Sequence, residues 1–507
     1  SAHAMVSGLL LLAATGHLLG QRPSHASIFA RGRVGVARGA RAVTMASSLD
    51  TGVADAADSD EARSFASRWS AALSSAGDDD PTLLGSVVRH EDELLVLEPP
   101  IGVEPPPGSL VTFAGGGCGT VLFCRVGLAF AAQLDGPAAA LGEKAALAGG
   151  NLTFAPVEGQ WGGASSVEEM LAPPSPDLRS HVFAPKVAQS RRAPISQPLH
   201  TGVLAIDSLA PIGRGQSMLI LGPDTLPRGA GRSALAHRVL DGAASFAPDV
   251  RRLYVTTAAQ AEDAGRAAWA EGTRVLSART DAEMLIAAQA ACSLAQAGGG
   301  DALVVVDDLE PVRRLWTASC DAATALGREV RPDEEGSLLR IFYSALTERA
   351  HRRIGGDSVT LLLLQPSPSL RAAEEARKEA FTLADFEKAG FSQRAMGRLR
   401  VLEGKGVQLT EGVLEKLGIP APGSGHPRAD GGRKAGQHVE ELTSLVDGHI
   451  ELSEALAAAG RLPPIDPAQS LTRIGVGSTK LRPQATSAAM RAVARALRLE
   501  LASAADP

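Results

Sequence analysis

The stretch Leu221–Ala236, LGPDTLPRGAGRSALA, most constrains the fold, because it joins a short apolar strand to a helix through a glycine-containing loop. The apolar run Ser217–Leu221 leads into Gly222, and Gly231–Ser233 opens the helical pattern. Backbone amides of such a loop and the N-terminus of the following helix converge on one point, where they bind phosphate oxygens. The segment therefore predicts a phosphate-binding loop at the end of a buried strand.

The middle of this loop departs from the usual G-x-x-x-x-G-K-[ST] pattern. Arg232 stands in place of the lysine, and its planar guanidinium is not equivalent to a mobile ammonium group. Leu226 occupies the position of the first glycine, while Gly222 lies four residues earlier. Pro223 and Pro227 remove two amide donors. Taken alone, the loop is equally compatible with an ordinary strand-to-helix turn.

A second acidic element strengthens the prediction of a nucleotide site. Asp307 and Asp308 end the apolar strand pattern Ala302–Val306, about 75 residues after the loop. A carboxylate in this place binds Mg²⁺ or its water ligands, although an acidic pair after a strand is also a frequent helix cap. The candidate nucleotide ligands are Gly222, Gly229, Gly231, Arg232 and Ser233, and the candidate magnesium ligands are Ser233, Asp307 and Asp308.

Strand and helix patterns alternate from residue 191 onward, which predicts an α/β domain with a parallel central sheet. Short β-prone runs punctuated by glycine and proline precede it and predict a small N-terminal barrel or sandwich. The predicted segments are a targeting presequence (1–49), a flexible acidic linker (50–84), the β-barrel (85–140), an irregular connector (141–190), the first part of the nucleotide-binding domain (191–370), a helical insertion with an unstructured linker (371–437) and the last part of that domain (438–507).

Composition limits the classes of partner. The formal net charge is −6, and without the five arginines of the acid-free first 49 residues the body holds 45 basic against 56 acidic residues, or −11. We do not expect such a body to bind nucleic acid by charge. The four cysteines lack metal-ligand spacing, which favours buried thiols in a reducing compartment.

The first 49 residues have the character of two targeting signals in series. An apolar core within Met5–Gly20 is followed by the small-x-small sequence Ser24–Ala26 and then by a stretch rich in arginine, alanine and serine. The arrangement resembles the bipartite presequence of nucleus-encoded plastid proteins in algae with secondary plastids. We therefore expect a plastid location, with a mitochondrial presequence or a plain secretory signal as alternatives.

Several longer stretches resemble the alpha subunit of rotary proton-translocating ATP synthases. Pro198–Gly222, PLHTGVLAIDSLAPIGRGQSMLILG, is similar to the segment that enters the phosphate-binding loop of that family. LVVVDDL resembles its Walker B strand, Gly327–Ala350 its next loop and helix, and Ile465–Pro483 a motif near its last strand. The chain ends at Pro507, where alpha subunits continue into a helical domain. It is identified as a divergent, C-terminally truncated member with an altered phosphate-binding loop.

The resemblance implies a RecA-like core whose sites bind Mg-ATP or Mg-ADP without turnover. Alpha would alternate with beta around gamma in a hetero-hexameric head, and would meet the membrane only through the rest of the complex. Arg473 matches the arginine that reaches into a beta-subunit catalytic site, where it stabilises the transferring phosphoryl group. Gln260 lies one place after the family's glutamine and is a further nucleotide ligand candidate. The implied location is the stromal face of the thylakoid membrane, or alternatively the matrix side of the mitochondrial inner membrane.

Departures from the family leave other functions open. No glutamate stands where beta subunits keep their general base, so we do not expect ATP hydrolysis by the chain alone. The insertion at 371–437 favours a pseudo-ATPase paralogue that acts as a binding or assembly module. A RecA-like helicase or terminator motor is disfavoured by the acidic body and the alpha-type entry segment.

Overall fold

A computed structural model describes residues 83–154, 162–172, 181–265, 267–328, 330–367, 380–388, 393–410, 413–414, 430–473 and 486–505. The predicted presequence (1–49) and all but the last two residues of the acidic linker (50–84) lie outside the described residues. Within those residues, no helix combines the length and apolar character needed to span a membrane.

The described strands and helices follow one another as a barrel, an α/β core and a smaller helical segment. The strands are β1 Leu83–Glu91, β2 Leu94–Glu98, β3 Ser109–Phe113, β4 Cys118–Arg125, β5 Leu128–Asp135, β6 Lys144–Asn151, β7 Thr153–Phe154, β8 Gly163–Ser166, β9 Leu171–Ala172, β10 Pro198–Leu199, β11 Ile212–Gly213, β12 Ser217–Gly222, β13 Arg251–Thr257, β14 Thr273–Ala278, β15 Asp301–Asp307, β16 His351–Arg352, β17 Ser358–Pro366, β18 Ala380–Phe381, β19 Leu409–Thr410, β20 Gly448–Glu451 and β21 Leu471–Thr472. The helices are α1 Val167–Met170, α2 Leu204–Leu209, α3 Arg232–Phe246, α4 Ala258–Gly265, α5 Asp281–Ala297, α6 Glu310–Ala325, α7 Pro332–Thr347, α8 Leu383–Lys388, α9 Gln393–Gly404, α10 Asp430–Leu445, α11 Glu454–Ala458 and α12 Ala488–Ala505.

The N-terminal part is a closed antiparallel barrel with strand order β1-β2-β5-β4-β3-β6, which confirms the predicted barrel. Alternate residues point inward and form its core, as a barrel of this size requires. Its last strand, β6, lies beyond the predicted boundary at residue 140. The sequence of β6, KAALAGGN, has no β-branched or aromatic residue, so its composition does not indicate a strand.

The α/β core is built on a mostly parallel sheet with strand order β21-β20-β12-β17-β15-β13-β14-β8. The strands β12, β15 and β17 are buried almost throughout, in keeping with the continuous apolar runs expected of parallel strands. Adjacent β12 residues face opposite sides, since Leu219 and Leu221 join one hydrophobic cluster while Met218 and Ile220 join the other. The predicted α/β class is therefore confirmed. The edge strand β8 lies in the stretch predicted to be an irregular connector.

The barrel and the α/β core share one hydrophobic cluster. The ring of Phe123 on β4 contacts that of Phe342 on α7, with centroids 4.9 Å apart. Beside them the guanidinium of Arg125 lies 4.9 Å from the ring centroid of Trp316 on α6 and pairs with the carboxylate of Glu335. These aromatic and charged contacts join the barrel to the α/β core.

The predicted insertion contains a small hydrophobic cluster of its own, formed by Phe386, Met396, Leu399, Leu409 and Leu414. The strands β18 and β19 pair across it. Helix α10 begins at Asp430, inside the stretch predicted to be an unstructured linker up to residue 437. Its glycines weaken the helical pattern, but contacts with α7 favour the helix, including an ion pair of 2.7 Å between Arg340 and Glu441.

Candidate functional site

The loop that follows β12 lies at the carboxyl edge of the parallel sheet, where α/β proteins usually bind ligands. β12 is completely buried between β17 and β20 and ends at Gly222. Helix α3 begins at Arg232 with Gly231 as its N-cap, and no described side chain caps its first turn. The amides of that turn are therefore directed at the loop, as in an anion-binding helix N-terminus.

The loop between these elements is folded into two turns. The amide of Leu226 donates to the carbonyl of Pro223 over 3.4 Å, and the amide of Ala230 donates to that of Pro227 over 2.9 Å. These bonds use two of the loop amides, and the two prolines have none to offer. Gly229 adopts a left-handed conformation with φ of +85°, which glycine permits without strain. Fewer loop amides are therefore free to bind an anion than the usual phosphate-binding pattern would provide.

Arg232 extends back across the loop and is only 9% exposed. Its Nη1 donates to the carbonyl of Gly222, and its Nη2 lies 2.7 Å from Oδ1 of Asp224 and 3.5 Å from Oδ2 of Asp308. The Nε atom is buried and has no hydrogen-bond partner among the described residues. The cation predicted to meet a phosphate is therefore held by two carboxylates of its own chain.

Asp307 ends β15 and is 2% exposed, so its carboxylate depends on internal partners. The hydroxyl of Tyr254 on β13 donates to its Oδ2 over 2.5 Å. Burial raises the pKa of Asp307 above its usual value, while the hydrogen-bonding influence of Tyr254 and Ser233 and the charge of Arg232 lower it. Ser233 and Asp307, both predicted magnesium ligands, thus lie near each other.

A neutral histidine completes this network. Nε2 of His237 lies 2.9 Å from the hydroxyl oxygen of Tyr254, and its ring stacks on Trp269 at a centroid distance of 4.5 Å. Burial lowers the pKa of His237 to about 4. Because Tyr254 donates its one hydroxyl proton to Asp307, the neutral imidazole must donate from Nε2 to the tyrosine oxygen. The hydrogen bonds from His237 to Tyr254 and from Tyr254 to Asp307 hold the carboxylate of Asp307 in place as a hydrogen-bond acceptor.

Asp308 is positioned by the start of the next helix. Its Oδ1 accepts from the amide of Glu310 over 2.9 Å, and its Oδ2 faces Arg232. Burial raises the pKa of Asp308, the Glu310 amide and the charge of Arg232 oppose the rise, and the neighbouring Asp307 adds to it. Asp308 is 22% exposed, so it lies nearer the loop opening than Asp307. Among the described residues, no three acidic, histidine or cysteine side chains form a metal-binding group.

Gln260 is not in contact with the loop in the described structure. Its Oε1 accepts from the hydroxyls of Thr256 and Thr257, at 2.8 and 3.1 Å, where β13 meets α4. Since β17 and β15 lie between β12 and β13, the two strand axes are about 14 Å apart. Its role as a nucleotide ligand stays a prediction.

Arg473 lies at the opposite edge of the sheet. Its guanidinium donates to the carbonyls of Thr443 and Ser444 at the end of α10, at 3.0 and 3.1 Å, and its side chain is exposed. Its amide bonds to Asp447, whose own amide bonds to the carbonyl of Ser217 at the start of β12. The strand advances about 3.3 Å per residue, so roughly 16 Å separate this edge from Gly222. Arg473 is therefore remote from the loop of its own chain.

Three site residues were missed in the sequence: Asp224, Tyr254 and His237. Asp224 carried a detectable signal, because an acid two residues after the loop glycine can pair with an arginine further along the same loop. Tyr254 and His237 reach the site through strand order and helix rotation, which the local sequence does not reveal.

Comparison with known proteins finds ATP synthase alpha subunits among the relatives of this chain. The chain is 29% identical to ATP synthase subunit alpha of Lactobacillus helveticus over 314 residues, which are 62% of this chain and 50% of that protein. It is 28% identical to ATP synthase subunit alpha 2 of Cereibacter sphaeroides over 417 residues, or 78% and 68% of the two chains. ATP synthase subunit alpha of Caldanaerobacter subterraneus is 33% identical over 189 residues, covering 34% and 35%.

These similarities cover only part of the length of each protein. The chain spans about half the length of the Lactobacillus relatives that it matches. No family model matches the sequence. The matching proteins nevertheless carry the same subunit description at similar identities.

Proposed function

Because this chain is a divergent member of the ATP synthase alpha-subunit family, we propose that it binds Mg-ATP or Mg-ADP at the loop after β12 without turning it over. One observation carries the proposal: Arg232, Ser233 and the acids Asp307 and Asp308 lie together at the carboxyl edge of the sheet, with Arg232 paired to Asp308 and both Arg232 and Ser233 lowering the pKa of Asp307. A positive charge, a hydroxyl and a carboxylate are the groups that a magnesium-bound polyphosphate needs.

The residues present fit a magnesium ion. The hydroxyl of Ser233 and the carboxylate of Asp307 lie near each other, so they would hold the ion together with phosphate oxygens and water. When bound, magnesium would neutralise phosphate charge. Turnover is not part of the proposal, because the chain lacks a glutamate in the place of the beta-subunit general base.

We further propose that Arg473 acts on a neighbouring beta subunit during ATP synthesis. Its exposure and its distance from the loop of its own chain support a role in trans. Its present hydrogen bonds to the end of α10 would have to be exchanged for bonds to phosphate. The proposed partners are beta and gamma subunits in a hetero-hexameric head, with the membrane reached only through the rest of the complex and no nucleic acid bound. The proposed location is the plastid, or else the mitochondrion.

A second function is a pseudo-ATPase scaffold, which would act as a binding or assembly module. The pairing of Arg232 with Asp224 and Asp308 supports it, because the cation is already neutralised. The hydrogen bonds of Arg473 within its own chain support it as well.

Calorimetric titration of the full chain with Mg-ADP and Mg-ATP tests nucleotide binding. Arg232→Ala removes a charge-assisted contact worth about 1.5–3 kcal/mol, so we expect affinity to fall roughly 10- to 150-fold. Arg238→Ala is the matched control, since Arg238 is an exposed arginine of the same helix, and it should bind as the wild type does. If neither the wild type nor the control binds nucleotide, only the scaffold function survives.

Assembly is tested separately by isolating the native complex. The alpha-type proposal expects the chain to co-migrate with beta and gamma subunits at a fixed stoichiometry. Recovery of the chain without beta would refute the proposal for Arg473 while leaving nucleotide binding open.

A further inference from the structure

We propose that Asp224 is an internal anion that competes with nucleotide phosphate for Arg232. The inference rests on the proposed nucleotide site and adds a residue that sets its affinity. Asp224 and Arg232 belong to the same loop and form an ion pair of 2.7 Å. An incoming phosphate needs the same face of the guanidinium, because the opposite arm of the fork is bonded to the carbonyl of Gly222.

The two carboxylates on Arg232 differ in how easily they can leave. Asp308 directly follows the buried strand β15 and is held by the amide of Glu310, with 22% of its side chain exposed. Asp224 lies on the loop surface with 76% of its side chain exposed. An exposed carboxylate is readily rehydrated when it is displaced. Asp224 is therefore the carboxylate that an incoming phosphate displaces from Arg232.

A second contact, next to Asp224 in the sequence, also holds this loop in place. The hydroxyl of Thr225 donates to the carboxylate of Glu454 at the start of α11. The two contacts come from adjacent loop residues and fasten the loop at two points. Phosphate binding must therefore displace the Asp224 carboxylate while the backbone beside it stays tethered, which weakens binding without abolishing it.

Asp224→Asn tests this competition in the full chain. The amide keeps the shape of the side chain but removes its charge and the ion pair. An exposed pair contributes about 0–1 kcal/mol, and repulsion between Asp224 and a phosphate adds a comparable amount in water. We expect Mg-ADP and inorganic pyrophosphate to bind about three- to tenfold more tightly to the variant. Adenosine, which has no phosphate, should show no change.

Asp241→Asn is the matched control, because it removes one exposed negative charge from α3 about 13 Å along the helix from Arg232. It should leave the affinity for pyrophosphate within twofold of the wild type. Equal tightening in both variants would mean a general charge effect and would overturn the role of Asp224.

The outcomes separate this inference from the proposed function. If the wild type binds Mg-ADP and Asp224→Asn binds it equally or more weakly, Asp224 is not a competitor, while the nucleotide site remains. Tighter binding of Mg-ADP and pyrophosphate by Asp224→Asn than by both the wild type and Asp241→Asn supports the inference. If no variant binds either pyrophosphate or nucleotide, the nucleotide site itself fails and the inference fails with it.

Discussion

Replacement of Tyr254 by phenylalanine tests the network behind the loop. Tyr254 is one of only two tyrosines in the chain, and its buried hydroxyl connects His237 to the carboxylate of Asp307. The variant keeps the ring and its packing against Trp269 but loses both hydrogen bonds. A hydrogen bond to a buried carboxylate contributes about 1.5–3 kcal/mol, and the orphaned N–H of His237 adds to the loss. We expect local stability to fall by about 2–4 kcal/mol.

The stability difference between Tyr254→Phe and the wild type depends on pH with a defined sign. Burial raises the pKa of Asp307, and the hydrogen bond from Tyr254 holds it down. Without that bond the pKa in the folded protein rises further, so ionised Asp307 becomes more costly in the variant. The stability difference between variant and wild type is therefore smallest in acid, where Asp307 is protonated in both. It grows as the pH rises through the folded pKa of the wild type and then of the variant.

Hydrogen exchange followed by mass spectrometry measures this difference on β13 and β15, because local opening free energies can be resolved peptide by peptide. Tyr343→Phe is the matched control, since Tyr343 is equally buried but its hydroxyl forms its hydrogen bond with Nδ1 of His438, at 2.9 Å, and not with a carboxylate. The control should lose about 0.5–1.5 kcal/mol. A pH-independent loss in Tyr254→Phe, or one no larger than in the control, would refute the assignment of the hydroxyl to Asp307.

Three further predictions concern packing, thiols and a second buried acid. Gly242→Ala should destabilise the core by about 3 kcal/mol in urea unfolding, because a Cβ atom there would lie 1.7 Å from the carbonyl of Thr201; normal stability would mean that the helix and the loop shift apart. Burial raises the pKa of Cys118 and of Cys292 to about 11, so Ellman's reagent at pH 8 should label neither until urea is added. Burial raises the pKa of Glu451 to about 7, so the folded state loses stability as the pH rises through that value. Glu451→Gln should therefore raise stability at pH 8 by about 1–2 kcal/mol and leave it unchanged at pH 4, and a loss of stability at pH 8 would contradict this.

The α/β class and the barrel were predictable from the sequence because buried parallel strands and short antiparallel strands leave different patterns. β15 is apolar over the five successive residues 302–306, and the acids at 307 and 308 follow at the predicted sheet edge. The boundaries of strands and helices were less predictable. β6 is rich in alanine and glycine, and helix α10 starts among glycines, so both depend on tertiary contacts rather than on local preference.

The proximity of some candidate residues was predictable, but their electrostatic partners were not. The sequence predicted that Arg232, Ser233 and the acids at 307 and 308 lie near one another, and Arg232 pairs with Asp308 in the structure. It did not reveal that Asp224 occupies the arginine, because the path of a proline-containing loop depends on its two turns. Nor did it reveal the hydroxyl of Tyr254, which reaches Asp307 from the adjacent strand.

The aromatic contacts between the barrel and the α/β core have a mechanical consequence. Phe123 and Arg125 of β4 pack against α6 and α7, so a rotation of the barrel would expose apolar rings to water and break an ion pair. These contacts oppose a change in the orientation of the barrel relative to α6 and α7. A conformational response to a ligand would cost less in segments outside that junction, such as the proline-containing loop beside Arg232.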